Sequence, residues 1–333
     1  MTFPYFKSSF FLGSLELKSN IFCAPLASCS DYPFRKMLME HRPGLFFCEM
    51  VKMEALLRAE PSTLSLLDYD TGMHPIGAQI VGSKPRLAAK AARIVESLGF
   101  DVLDLNCGCP VDKVTKDGSG SKMLRDPQRI GDVLSEMVAQ VKIPVTVKIR
   151  TGWDEESINA VEVTKIAEQA GASAVTIHGR TRTQAYKGQA NWDIISQCKK
   201  AAKKIKVIGN GDIFSPDAAA SIFNQTDCDA ILLARGTLGQ PWLVQDIERV
   251  FQGKEPVLRS DLDILEYLKR HFEHSLKYYS EKKAVIDMRK LACWYFKKGK
   301  KHLSFRKAIV RVESKMEAYR LLQDLEVSLG KGS

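Results

Sequence analysis

The sequence predicts an α/β fold, a (β/α)8 TIM barrel followed by a small all-α helical domain. Three observations carry that prediction. Short apolar runs without polar alternation recur eight times, amphipathic segments separate them, and after Gly236 the strand pattern stops while helical periodicity continues. Apolar runs of this kind mark strands covered on both faces, and their alternation with helical segments marks βαβ units in a parallel sheet. Eight units over about 240 residues match the count and length of a closed barrel. A doubly wound open sheet is the alternative. Eight units exceed its usual number, and no G-x-G-x-x-G follows the first run.

The runs can be taken in order. Asn20 to Ala24 is closed by Pro25, Leu45 to Cys48 follows, and Ile76 to Val81 is closed by Gly82. The fourth, Val102 to Asn106, leads into Cys107-Gly108-Cys109-Pro110. Val145 to Ile149 ends before Thr151-Gly152, Ala174 to His178 before Gly179, Lys206 to Asn210 before Gly211, and Ala230 to Ala234 before Arg235-Gly236. Between them, Lys84 to Leu98, Asp126 to Val141, Ser157 to Ala170 and Pro216 to Asn224 are amphipathic. Pro241-Trp242 opens a further helical stretch, and Asp263 to Tyr279, Val285 to Lys297 and Phe305 to Leu325 read as three or four helices. This places the barrel in residues 1–245 and the helical domain in residues 246–333.

Composition narrows the function. A 45% hydrophobic and 26% charged chain can build a large core, and no apolar run reaches the roughly 18 residues that span a bilayer. The start, Met1 to Lys7, lacks the basic-then-apolar order of a signal peptide, so no membrane association and a cytoplasmic location are expected. The eight cysteines are scattered and no His/Cys spacing matches a zinc site, so free thiols and no metal are expected. A monomer is the simplest oligomeric state. The net charge of +10 favours an anionic partner, and its distribution is uneven. Lys282 to Arg311 holds eleven lysines and arginines against Asp287 alone, interleaved with Trp294, Tyr295, Phe296 and His302. A solvated helix face is the plain explanation of a charge run. Cations mixed with stackable rings fit a nucleic acid better.

In a barrel of this kind catalytic groups sit at the C-terminal strand ends, with phosphate beyond the seventh and eighth strands. The seventh run ends in Gly209-Asn210-Gly211-Asp212 and the eighth in Ala234-Arg235-Gly236. Glycines let backbone N–H groups approach an anion and an arginine adds a bidentate contact, so a phosphorylated cofactor or substrate is expected there. Lys148 is an isolated charge in an apolar strand, costly to bury without a partner. With Gln79 and His178 it describes a polar ring suited to the edge of a heteroaromatic such as a flavin. At Cys107 and Cys109 two buried structural cysteines are the commoner fate. A free thiol is mostly protonated at neutral pH and can donate a proton as well as attack, and no base for a nucleophile is evident.

These residues resemble the tRNA-dihydrouridine synthase family, most closely its bacterial B-type branch, over nearly the whole chain. The resemblance rests on Ala24-Pro25-Leu26-Ala27, Asn106-Cys107-Gly108-Cys109-Pro110, Val147 to Gly152, Asn210-Gly211-Asp212, and His178-Gly179-Arg180-Thr181-Arg182 with Tyr186, Gly188, Ala190 and Trp192. It implies an enzyme that uses flavin mononucleotide (FMN), with NADPH or NADH as reductant, to reduce the 5,6 double bond of uridines in tRNA. By the family pattern Pro25, Leu26, Ala27 and Gln79 line the isoalloxazine, and Lys148 and His178 also touch it. Asn210, Gly211, Asp212, Ala234 and Arg235 hold the phosphate. Cys109 matches the proton donor, hydride going to C6 and the proton to C5 of a flipped base. Asn106 and Tyr186 match base contacts, with Arg150 and Arg182 beside them, and Arg289, Lys290, Trp294 and Tyr295 resemble the tRNA-binding domain's surface. Three positions depart from the pattern: Ser28 and Ala234 stand where glycine is usual, and Leu291 where the B-type branch often has histidine. A barrel acting on a small molecule would not need the basic helical tail, and an RNA-binding scaffold without catalysis would not bind flavin.

Overall fold

The computed structural model describes residues 3–297 and 302–330. All eight anticipated runs form strands, and they close on themselves. The chain opens with an antiparallel hairpin, β1 (Phe10–Leu12) and β2 (Leu15–Leu17). The barrel strands are β3 (Ile21–Cys23), β4 (Leu45–Phe47), β6 (Ile76–Val81), β7 (Val102–Cys107), β8 (Val145–Arg150), β9 (Ala174–His178), β10 (Lys206–Asn210) and β11 (Ala230–Leu233), with a two-residue β5 (Val51–Lys52) added beside β6. Each pairs in parallel with its neighbour, β11 meeting β3 through Leu232 and Phe22, and β4 meeting β6 through Phe46 and Ile76.

The absence of alternation in the sequence has a direct cause. Ile21, Ile76, Ala78, Leu103, Leu105, Val147, Ile177 and Leu233 face outward into the layer between sheet and helices. Their neighbours Phe22, Leu45, Phe47, Val102, Ala174, Ile208 and Leu232 fill the barrel interior, joined by Phe10, Leu12 and Leu17 of the hairpin. The hairpin closes the N-terminal end, where Gly13 lies against Pro144 and Ser173 just ahead of β8 and β9. The hairpin and β5 are too short to read from the sequence.

Higher up the strands the inward positions turn polar: Gln79 on β6, Asp104 and Asn106 on β7, Thr146, Lys148 and Arg150 on β8, Thr176 and His178 on β9, and Asn210 on β10. An apolar plug below and a polar layer above leave one end of the barrel for chemistry.

Leu243–Phe251 packs its apolar face on the barrel's outer layer. Four further helices, Asp261–Tyr278, Glu281–Tyr295, Leu303–Ile309 and Lys315–Gly330, build a second core around Leu268, Phe272, Met288, Ala292, Ile309 and Leu322. The stretch from Phe305 to Leu325 holds two of these helices, which makes four, the upper of the three or four expected. Ser314 starts the second, its Oγ accepting from Glu317 N–H at 3.2 Å while the Glu317 carboxylate accepts from Glu313 N–H at 2.9 Å. This unit is fastened to the barrel on its β3–β4 side. Tyr278 stacks on Tyr32 at 4.6 Å and donates to Asp68, Tyr279 donates to Asp31, and Arg270 pairs with Glu40. Of the basic stretch, Lys298, Lys300 and Lys301 lie outside the described residues.

Candidate active site

The C-terminal strand ends surround one cleft of about 480 Å3. Pro25, Leu26 and Ala27 after β3, Gln79 from β6, and Asn106 and Cys109 from β7 form one side. Lys148 and Arg150 from β8, His178 and Tyr186 from β9 and its loop, Asn210 to Asp212 from β10, and Ala234 and Arg235 from β11 form the other. Fifteen residues selected from sequence thus converge on a single cavity. Cys29, Met50, Phe214 and Leu238 also line it and carry no sequence signal that separates them from packing.

The two cysteines of the motif have different surroundings. Cys107 is the last residue of β7 and points outward, fully buried, its sulfur 3.8 Å from that of Met123. Burial pushes its thiol well above the ordinary range, with Asp104 adding to the shift. Cys109 stands two residues further on, half-buried on the cleft wall. Asn106 turns the chain there: its Oδ1 accepts from the N–H groups of Gly108 at 3.1 Å and Cys109 at 2.8 Å. Ser121 N–H donates to the Cys109 carbonyl at 3.1 Å, and Gly120, at φ +59°, permits that approach because a Cβ would lie 2.9 Å from the same carbonyl oxygen.

Arg150 braces this loop from the opposite wall. Its Nε donates to Gly108 O at 2.8 Å, and its Nη1 to Thr181 O at 2.8 Å and Ala185 O at 3.0 Å. At 3% exposure the guanidinium is committed to backbone carbonyls of two loops. It joins the thiol loop to the loop that carries Tyr186, which is 56% exposed and stacked under the Arg235 guanidinium at 4.5 Å.

The electrostatics favour an anion. His178 is held well below the ordinary imidazole range, first by burial and then by Lys148, Arg150, Arg180 and Arg235 around it, so it is neutral. Burial first and Arg150 second lower Lys148 to about 8 against the opposing effect of Asp104, and its Nζ donates to Asn210 Oδ1 at 3.0 Å. Asn210 in turn donates to Leu232 O at 2.7 Å. Asp212, also in the cleft wall, is already engaged, accepting from Arg180 at 2.7 Å and Ala190 N–H at 2.8 Å. Arg235 reaches it only at 3.6 Å and remains about one third exposed. Gly211, at φ +122°, lies so close to Ala190 and His178 that a Cβ would meet them at 2.8 and 3.1 Å. A half-free guanidinium beside tight glycine turns on β10 and β11, with a partly buried lysine nearby, has the donor set that a phosphate needs.

The remaining sequence candidates lie outside this cleft. Arg182 sits on the rim, its guanidinium over Trp153 at 4.6 Å and paired with Asp112 at 3.0 Å. Arg289 donates twice to Val312 O, and Lys290 donates to Ser28 O at 2.6 Å while lying over Trp294 at 5.0 Å. Tyr295 is 6% exposed, its hydroxyl beside His271 Nδ1 in the helical core, so its ring is packing and not an outward contact surface. Its aromatic type matched a stacking residue, and its place on the inner face of Glu281–Tyr295 decides otherwise. Ser28 adopts φ +60°, the conformation that glycine takes freely, with its N–H on buried Glu49 and its carbonyl on Lys290. Leu291 is buried in the helical core.

Fold and cleft together define a TIM-barrel protein in which cationic side chains, glycine turns and a thiol share one mouth. The chain matches the family model described as dihydrouridine synthase (Dus) across residues 22–329, and it belongs to that family. It is 37% identical over 300 residues to tRNA-dihydrouridine synthase B of Pasteurella multocida, covering 89% of this chain and 90% of the relative. It is 36% identical over 285 residues to tRNA-dihydrouridine synthase B of Pseudomonas aeruginosa, covering 85% and 86%. Among solved structures it resembles a 6-hydroxypseudooxynicotine amine oxidase from Pseudomonas geniculata N1, with TM-score 0.60 at 14% identity over 99% of this chain and 67% of that one. A histamine dehydrogenase from Rhizobium sp. 4-9 gives TM-score 0.55 at 15% identity, covering 79% of this chain and half of that enzyme. These two likenesses concern the fold alone.

Proposed function

We propose that this protein is a tRNA-dihydrouridine synthase that reduces the 5,6 double bond of selected uridines in tRNA. The observation that carries this reading is the placement of the Cys109 thiol and the phosphate-type cradle in the walls of one cleft, in a chain of this family. FMN, reduced by NADPH or NADH, supplies the hydride when bound.

The residues present fit that cofactor. Asn210, Gly211, Asp212, Ala234 and Arg235 would hold its phosphate, and Pro25, Leu26, Ala27 and Gln79 its ring system. Lys148 is a partly buried cation suited to negative charge on that ring, and neutral His178 accepts a hydrogen bond without adding to the charge. Cys109 holds the proton that C5 of the uracil takes up as hydride arrives at C6, and solvent reprotonates the thiol between turnovers. Asn106 fixes the backbone of the thiol loop, and with Tyr186 it contacts the base. A base reaches this depth only when flipped out of the RNA. Arg150 acts by bracing the two loops, and Arg182 sits on the rim that the RNA approaches. Arg289, Lys290 and Trp294 stand on the helical unit, which we assign to tRNA binding, with the Leu243–Phe251 helix spanning the division expected at 245/246. Among the described residues no helix is long and apolar enough to cross a membrane, and no group of three or more His, Cys, Asp or Glu could hold a metal ion.

Purified protein should be yellow or take up FMN, and should form dihydrouridine in unmodified tRNA with NADPH. A colourless protein that FMN cannot reconstitute would overturn the reading.

A further inference from the structure

The hydrogen bonds beneath the cleft run in one direction. Asp104 lies inside the barrel on β7, 3% exposed, below the cleft lining. Its Oδ2 accepts from Gln79 Nε2 at 2.7 Å and its Oδ1 from Thr146 Oγ1 at 2.6 Å. Gln79 Oε1 accepts from Asn106 Nδ2 at 2.8 Å, and Asn106 Oδ1 accepts from the N–H groups of Gly108 and Cys109. Each amide in this chain could be turned by 180° with its shape preserved and its donor and acceptor exchanged. The N–H groups of Gly108 and Cys109 only donate and the Asp104 carboxylate only accepts, so the two ends of the chain favour the same orientation, and a side chain at position 104 that can donate would let the opposite one compete. The carboxylate draws the Gln79 amino group downward, which leaves Oε1 for Asn106, which leaves Asn106 Oδ1 for the thiol loop.

We propose that Asp104 is a positioning residue: its acceptor-only carboxylate sets the orientation of the Gln79–Asn106 amide pair and, through it, the loop that carries the Cys109 thiol. Asp104→Asn keeps size and shape but can donate to Gln79 Oε1. With the pair inverted, Asn106 presents its amino group to two backbone N–H donors, and the cap on Gly108 and Cys109 is lost. Thr146→Val removes a hydrogen bond from the same carboxylate and leaves the polarity of the chain intact. Its effect separates orientation from mere loss of interior bonding.

The catalytic part of this inference rests on the role given to Cys109 above, so two readouts are needed. The first is alkylation of Cys109 by iodoacetamide in the full-length protein without flavin, followed by peptide mass spectrometry. The second is tRNA uridine reduction by the flavin-loaded protein, with NADPH-dependent flavin bleaching and thermal stability recorded alongside. Asp104→Asn should change the alkylation rate at least about threefold and lower kcat for uridine reduction at least about tenfold, since a displacement near 1 Å can cost more. KM for tRNA should stay within about twofold, and Thr146→Val should stay within about twofold of wild type on both readouts. A double variant gives an independent check. In an Asn106→Asp background the loop is capped by an oxygen regardless of position 104, so adding Asp104→Asn should leave alkylation unchanged. Equal losses in Asp104→Asn and Thr146→Val, no change in Asp104→Asn, or additive effects in the double variant would each overturn the proposal. If the flavin-loaded wild type forms no dihydrouridine, the proposed function fails, while the alkylation series still decides the role of Asp104.

Discussion

Replacing Asp104 by asparagine should change how stability depends on pH, and the size of the change follows from where the carboxyl sits. Burial inside the barrel raises Asp104 from 3.8 to about 6, against the lowering effects of Thr146, Gln79 and Lys148. A carboxyl whose folded value exceeds its unfolded one stabilises the fold when protonated. That contribution is complete below about pH 3.8 and is lost as pH rises through about 6. The full difference is about 3 kcal/mol, and between pH 4.5 and 7.5 the wild type loses about 2 kcal/mol of it. Asparagine does not titrate, so its variant loses none. Whatever the variant gives up in hydrogen bonding is a constant offset. The assay is urea denaturation of the barrel transition at both pH values, in wild type and Asp104→Asn. The stability difference should move by about 2 kcal/mol in the variant's favour as pH rises. A difference that stays constant, or moves the other way, would refute the account of the buried carboxylate.

Three further outcomes are expected. Cys107→Ala should leave uridine reduction near wild type and lower stability by about 1 kcal/mol, as expected of a small buried side chain packed on Met123; a dead Cys107→Ala enzyme would mean that the wrong thiol has been assigned. Arg150→Met frees the carbonyls of Gly108, Thr181 and Ala185, and should lower stability by about 2 kcal/mol and uridine reduction at least about tenfold while flavin absorbance remains; unchanged melting and turnover would remove its bracing role. Reversing charge at Lys297, Lys298, Lys300 and Lys301 should weaken tRNA binding and flatten its dependence on salt, measured by filter binding from 50 to 200 mM; an unaltered salt slope would make this stretch a solvated face.

Much of this molecule was legible in its sequence because barrel strands carry a strong signal. Runs such as Ile76 to Val81 lack alternation since Ile76, Ala78 and Ile80 meet helices while Gly77 and Gln79 face inward. The β10 and β11 turns stood out because glycine beside Asn210 and Arg235 is visible as a pattern. The thiols could be told apart only in three dimensions. Cys107 and Cys109 differ by two residues, but one ends a strand facing outward and the other follows the turn made by Asn106. Asp104 was hidden for the opposite reason. One acid within an apolar run says nothing of Gln79 and Thr146, which come from strands on either side. Arg150 is expected from the sequence only beside the base contacts, and its partners in the structure, the carbonyls of Gly108, Thr181 and Ala185, come from loops that the sequence does not bring together. The same holds for the strap from Lys290 to Ser28, whose residues are 262 positions apart.

The most direct test of the central claim is mass-spectrometric measurement of dihydrouridine in unmodified tRNA incubated with FMN-loaded protein and NADPH, comparing wild type with Cys109→Ala. Wild type should form dihydrouridine, while Cys109→Ala should still bind FMN and oxidise NADPH but form very little. Dihydrouridine formed at equal rates by both, or by neither, would contradict the assignment of the cleft.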